Sequence, residues 1–166
     1  VVNTSIDKYI YISVKKLNPV FHEKFRLNYS ETEMVDHVKN IKNPIIRECI
    51  KFLDIDDRLY ISTIADVPSF SGLGSSSSFT VGLLNVLYNF KKQKISPGRL
   101  AEEAAHIEIK VLDSPIGKQD HYAASFGGLN KIFFFDNDKV KVEKIKIPKK
   151  NLNLIFSSLL LFWTGM

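Results

Sequence analysis

The sequence predicts an α+β domain. Runs that read as strands lie toward both ends of the chain, runs with helical spacing lie between them, and no regular strand–helix–strand repeat orders the two kinds. The 166 residues fit one domain with a real core, and a hydrophobic content of 45% excludes a disordered chain.

Residues 9–14 are rich in β-branched and aromatic side chains and alternate in part, which predicts a strand; residues 25–29 predict a second. A helix or turn is expected over 31–40. Asn43-Pro44 looks like an N-cap followed by proline at the first helical position, opening a helix to about residue 53. A strand over 58–65 leads into a serine-rich loop. After the loop, Phe79, Leu83, Val86, Leu87 and Phe90 recur at three- and four-residue intervals, predicting a helix to about residue 92. Ser96-Pro97 starts another helix, with Leu100, Ala101, Ala104, Ala105 and Ile109 on related faces. Ser114-Pro115-Ile-Gly117 breaks the chain, a short helix covers 118–125, and Gly127-Gly128 ends it. Strands are expected over 129–135, 140–147 and 153–164.

Composition narrows the function classes. Lys+Arg 23 against Asp+Glu 18 gives a formal charge of +5, a surplus that suits phosphate-bearing ligands or nucleic acid. The densest lysines, over 139–150, alternate with Val140, Val142, Ile145 and Ile147, the pattern of a strand with one solvated face. No pairing of aromatic with basic residues argues for nucleic acid. Cys49 is alone, forms no internal disulfide, and reads as a buried structural thiol. No signal peptide is visible, and the longest apolar run, over 154–163, spans about ten residues and is too short to cross a bilayer. A reducing cytoplasm fits these features. Both ends interrupt strand-like runs, so a chain truncated at both ends is expected.

The chemistry concentrates in Pro68-Ser-Phe-Ser-Gly72-Leu73-Gly74-Ser75-Ser76-Ser77-Ser78, between the strand over 58–65 and the next helix. Glycines let a backbone approach an anion, and the first N–H groups of a helix lack internal partners and point toward it. Serine hydroxyls add hydrogen bonds or a ligand for Mg²⁺. The loop lacks the Gly-Lys-Ser/Thr ending of the P-loop and the spacing of the Rossmann turn. A serine-capped helix after a flexible turn is the plainer alternative.

The pattern Pro68-x3-Gly72-Leu-Gly-Ser-Ser76 resembles the ATP-phosphate loop of the GHMP kinases, with Ser77 and Ser78 where that family usually has alanines. A second block, His106-Ile-Glu108 followed by Gly117-Lys-Gln-Asp120-His-Tyr-Ala-Ala-Ser-Phe-Gly-Gly128, is similar to the segment carrying that family's Mg²⁺-binding Glu and catalytic Asp. Its wording, together with Val1-Val-Asn-Thr-Ser-Ile-Asp-Lys-Tyr-Ile10, resembles the branch of heptose 7-phosphate kinases and fucokinase-like sugar kinases. The resemblance covers nearly the whole chain. It implies the fold of ribosomal protein S5 domain 2, with residues 1–166 as the central part of an N-terminal ATP-binding domain and the C-terminal domain absent.

The resemblance also implies roles. Pro68, Gly72, Leu73, Gly74, Ser75, Ser76 and Ser77 would cradle ATP phosphates. Ser76, with Ser75 as the alternative, and Glu108 would bind Mg²⁺. Asp120 would be catalytic. From spacing alone Glu108 reads as a solvated helix carboxylate, with Glu102, Glu103 and Asp113 as rivals. Asp120 follows a Pro-x-Gly turn in the first turn of a short helix, where the dipole favours a carboxylate and suits it to orientation as much as to proton abstraction. Lys118 reads as solvated or as a phosphate ligand. His106 and His121 have no metal-ligand partners at useful spacing. The implied activity is ATP- and Mg²⁺-dependent phosphorylation of a sugar or sugar phosphate, heptose 7-phosphate first and L-fucose or another small acceptor second, without nucleic acid or membrane. A non-catalytic nucleotide-, anion- or RNA-binding domain is the reading from a different class.

Overall fold

Strand pairing and helix caps lay out the computed structural model, which describes residues 1–68, 71–160 and 162. In chain order the elements are strands β1 (Val2–Thr4), β2 (Ile10–Lys16), β3 (Phe25–Asn28) and β4 (Thr32–Val35), helix α1 (Pro44–Phe52), strand β5 (Leu59–Ala65), helices α2 (Ser75–Phe90), α3 (Pro97–His106) and α4 (Gln119–Phe126), strands β6 (Leu129–Phe134) and β7 (Val140–Lys144), and helix α5 (Lys149–Ser157). Contacts divide the chain into two compact units, Thr4–Gly128 and a second made of Val1–Asn3 with the chain from Leu129 onward. The mixed α+β content matches the fold class read from the sequence.

The larger unit holds a four-stranded sheet in the order β2-β5-β3-β4. β2 and β5 are antiparallel, β3 and β5 parallel, and β3 and β4 form a hairpin with Phe25 opposite Val35. One face of the sheet is apolar. Phe25 and Leu27 on β3 and Leu59 and Ile61 on β5 are buried at every second position, as a pleated strand requires. Helix α2 packs against β2 and against α1, α3 and α4. Its Leu83, Leu84 and Leu87 are fully buried, and Phe79, Val86 and Phe90 pack around them partly buried. The helix is therefore covered over a wider arc than its apolar spacing predicts. Cys49 on α1 lies in this core, and burial pushes its thiol well above the ordinary range. It is a structural thiol, as read from the sequence.

Two caps foreseen in the sequence are in place. Asn43 Oδ1 accepts from Ile46 N at 3.0 Å at the start of α1, and Ser96 Oγ accepts from Arg99 N at 3.4 Å at the start of α3. Residues 31–40 meet the expectation of a helix or turn only in their second half. They form β4 and then a 3₁₀ turn, Val38–Asn40, because Thr32-Glu-Met-Val35 completes the hairpin with β3 and satisfies its backbone there.

The smaller unit carries a sheet in the order β1-β6-β7 and helix α5. The strand expected over 153–164 is corrected here: Lys149–Ser157 is helical, started after Pro148, and residues 161, 163 and 164 lie outside the described residues. Asn151 to Leu154 alternate over only four residues, Leu152, Ile155 and Phe156 also fit helical three- and four-residue spacing, and lysine and leucine are good helix formers. The strand expected over 140–147 ends at Lys144. Among the described residues no helix is long and apolar enough to cross a membrane.

Glu33 on β4 ties the hairpin to the start of α1. Its carboxylate accepts from the Tyr29 hydroxyl at 2.8 Å, Lys42 N at 2.7 Å and Asn43 N at 3.1 Å. Burial alone would push this carboxyl up, but those donors outweigh it and hold it below the usual carboxylate range. A depressed folded-state value stabilises above the unfolded pKa of about 4.3 and stops doing so as pH falls through the folded value. Glu33→Gln turns an amide NH₂ toward backbone donors and should cost about 1–3 kcal/mol near neutrality. Urea denaturation of both proteins should show that difference shrinking below about pH 4.

Candidate active site

The serine loop closes into α2 without a side-chain cap. Gly74 occupies the N-cap position in the left-handed region at φ 71°, and Gly72 lies there too at φ 75°. The cap is glycine and not serine, so no hydroxyl covers the first N–H groups of the helix, which face outward by helix geometry. Ser71 and Ser75 hydroxyls pair at 3.0 Å, and Ser78 N donates to Gly74 O at 2.9 Å. These bonds hold the turn.

Asp120 stands against this turn. It lies in the first turn of α4, and a Cβ added at Gly74 would come within 3.1 Å of its carboxylate. Its side chain is exposed to the adjoining cavity of about 910 Å³. Pro68, Gly72, Gly74, Ser75, Ser76, Ser77 and Asp120 all line that cavity, and Tyr29, Asn43 and Ile45 line it too. Leu73 does not, and its side chain is largely exposed. Tyr29 and Asn43 carry no local signal as wall residues, since both arrive from distant strands and turns.

Glu108 is not a solvated carboxylate. It is 2% exposed and lies in a π-helical turn, Ile107–Val111, that continues α3. Leu112 N reaches back to Ile107 O at 2.9 Å, and such turns redirect side chains. Ser76 donates its hydroxyl to Glu108 Oε2, and His121 Nε2 meets Oε1 at 3.0 Å. Burial by itself pushes the Glu108 carboxyl up. The hydrogen bonds from His121 and Ser76, with Thr80 beside them, outweigh it and hold the group below the ordinary range. Of the rivals, Glu103 is taken by Arg99 and Tyr88, and Glu102 by Tyr122 and Lys118. Lys118 Nζ stands 3.0 Å from Glu102.

The arrangement offers an anion cradle at the end of α2, one hydroxyl backed by an ionised carboxylate, and a second carboxylate facing the cavity. Among the described residues no three His, Cys, Asp or Glu side chains gather around a common metal position. The donor set still fits Mg²⁺, a hard cation that takes one or two protein oxygens and completes its shell with phosphates and water. Ser76 donates its O–H to Glu108 in a hydrogen bond, so its lone pairs remain available to such a cation.

Glycine is required twice in the loop for different reasons. Gly72→Ala meets no neighbour within 4 Å and carries only the left-handed backbone penalty, about 1–2 kcal/mol. Gly74→Ala adds contact with Asp120. Thermal denaturation should place Gly74→Ala below Gly72→Ala, with Gly117→Ala, where nothing lies within 4 Å, near wild type.

The family model described as GHMP kinases N terminal domain matches residues 38–128. A D-glycero-alpha-D-manno-heptose 7-phosphate kinase from Campylobacter jejuni is 29% identical over 178 residues, covering 100% of this chain and 52% of that protein. A galactokinase from Pyrococcus furiosus is 30% identical over 172 residues, covering 98% of this chain and 46% of the relative. Among solved structures, a D-glycero-D-manno-heptose 1-phosphate kinase from Bacteroides thetaiotaomicron superposes with a TM-score of 0.82 at 25% identity, over 92% of this chain and 53% of its own. A mevalonate kinase at 21% identity and TM-score 0.66 shares the fold. The chain spans about half the length of the curated relatives it matches. With more than half of its residues inside the family model, the chain belongs to the GHMP kinase N-terminal domain family.

Proposed function

We propose that the chain supplies the nucleotide-binding half of an ATP- and Mg²⁺-dependent kinase for a sugar or sugar phosphate. The leading acceptor is D-glycero-D-manno-heptose 7-phosphate at its anomeric hydroxyl. The observation that carries the reading is Asp120 set against the Gly74 end of α2 in the wall of one cavity, with the Ser76–Glu108 pair behind it.

Phosphoryl transfer needs positioning and charge stabilisation more than covalent chemistry. The N–H groups of Ser75, Ser76 and Ser77 receive phosphate oxygens, aided by the helix dipole. Pro68, Gly72 and Gly74 shape the turn around them, while Leu73 contributes backbone only. Ser76 and Glu108 would hold Mg²⁺, which when bound neutralises the phosphate charge. Asp120 orients the acceptor hydroxyl and takes its proton. The cavity continues toward Tyr29, Asn43 and Ile45, a mixed apolar and polar wall suited to the base and ribose.

The 29% identity to a heptose 7-phosphate kinase supports the leading acceptor. The 30% identity to a galactokinase supports an unphosphorylated hexose as the second reading, in the same class as an L-fucose-type kinase.

In the complete protein, ADP release from ATP should appear with one member of a panel of heptose 7-phosphate, fucose, galactose and mevalonate. Asp120→Asn should lower kcat by about 10²-fold or more without moving Tm. Wild-type turnover in that variant would sink the assigned mechanism. A gel shift with generic RNA at physiological salt should show no retained complex; retention would favour a nucleic-acid module.

A further inference from the structure

We propose that His121 is a positioning residue that fixes the Glu108 carboxylate, and through it the Ser76 hydroxyl, for the cation at the phosphate end of the cavity. The inference rests on the kinase reading above. His121 is 0% exposed and Glu108 is 2% exposed, and their Nε2–Oε1 distance is 3.0 Å. The other carboxylate oxygen accepts from Ser76. Three elements thus meet in one line: His121 from α4, Glu108 from the π turn, and Ser76 from the first turn of α2.

The ring's orientation follows from its partner. An ionised carboxylate only accepts, so Nε2 carries the proton and donates. Nδ1 is buried with no hydrogen-bond partner. Leaving a buried polar atom unsatisfied costs free energy, and an apolar side chain would fill the same space without that cost. What the imidazole adds is the bond to Glu108. Without it, a buried charge would keep Ser76 as its main donor and could rotate away from the loop.

The placement on α4 gives the contact a second consequence. Asp120 and His121 are neighbours about 100° apart around one helix. Asp120 faces Gly74, while His121 faces Glu108. One short helix therefore sets the spacing between the cavity carboxylate and the hydroxyl–carboxylate pair.

The test measures metal binding directly and not turnover. Mn²⁺ binding to the complete protein with ADP is followed by electron paramagnetic resonance for wild type, His121→Gln and His121→Leu, with thermal unfolding as a fold control. Gln places an amide N–H near the Nε2 position and should stay within about threefold of wild type, whereas Leu should weaken Mn²⁺ by about tenfold or more. Should His121→Leu fail to fold, His121→Asn replaces it, because its shorter amide falls short of Glu108. Folded variants that all bind as tightly as wild type, or a Gln variant as weak as Leu or Asn, would overturn the positioning role and leave the kinase reading standing. Wild-type protein that binds no Mn²⁺ with ADP would overturn both.

Discussion

A charged carboxylate sealed from water constrains more of this structure than any apolar contact. Removing an ion from water costs several kcal/mol even after relaxation, so Glu108 can remain ionised only while its oxygens are occupied by donors. Ser76 and His121 occupy them, and Thr80 stands close. Those donors come from α2 and α4, and the acceptor comes from the end of α3. The helices must therefore keep their mutual register for the charge to be tolerated. Ser76 also lies at the positive end of α2, where a nearby negative charge is favoured.

The start of α2 and Asp120 on α4 also wall the cavity. Helix α2 is held by the core through Leu83, Leu84 and Leu87 and cannot shift to relieve strain at its start. The turn ahead of it must then be made by residues that accept a left-handed backbone, which places Gly72 and Gly74 there. Gly74 has a second duty, since any side chain on it would press on Asp120. Loop conformation and carboxylate position are thus two results of one packing arrangement, in which glycine is demanded by backbone and by neighbour alike.

Local signals were legible where one residue type answers one backbone need. Asn43-Pro44 and Ser96-Pro97 announce helix starts, and both caps are present. The strand–loop–α2 succession was legible for the same reason. β4 was not, because a four-residue strand owes its existence to pairing with β3 and not to its own propensity. Residues 149–157 misled because a short apolar run that fits both the two-residue and the helical period does not separate strand from helix. At the site, the place of Asp120 in the first turn of a short helix was legible from the Pro-x-Gly turn ahead of it, while its role rested on the family resemblance alone. Spacing alone suggested a solvated Glu108, against the resemblance that picked it out, since the helical wheel that fits α3 stops applying where the backbone widens into a π turn at Ile107. His121 was hidden further still. Its partner lies 13 residues earlier on another element, a relation no local pattern encodes.

The two carboxylates of the site show how the fold divides labour between identical chemistry. Glu108 is fully enclosed, bonded at both oxygens and unable to turn. Asp120 is exposed to the cavity, and among the described residues its side chain has no hydrogen-bond or ion-pair partner. In the proposed kinase reading, the group that backs a cation ligand would benefit from the first condition, because a fixed carboxylate leaves no reorganisation to be done when charge develops. A group that must meet an acceptor hydroxyl and then release its product benefits from the second, because its hydrogen bonds have to form and break in each turnover. Exchanging the two environments would enclose the carboxylate that now faces the cavity and free the one that now holds Ser76. In the kinase reading proposed above, that asymmetry in burial, more than the presence of two acidic residues, would suit this end of α2 to phosphoryl transfer.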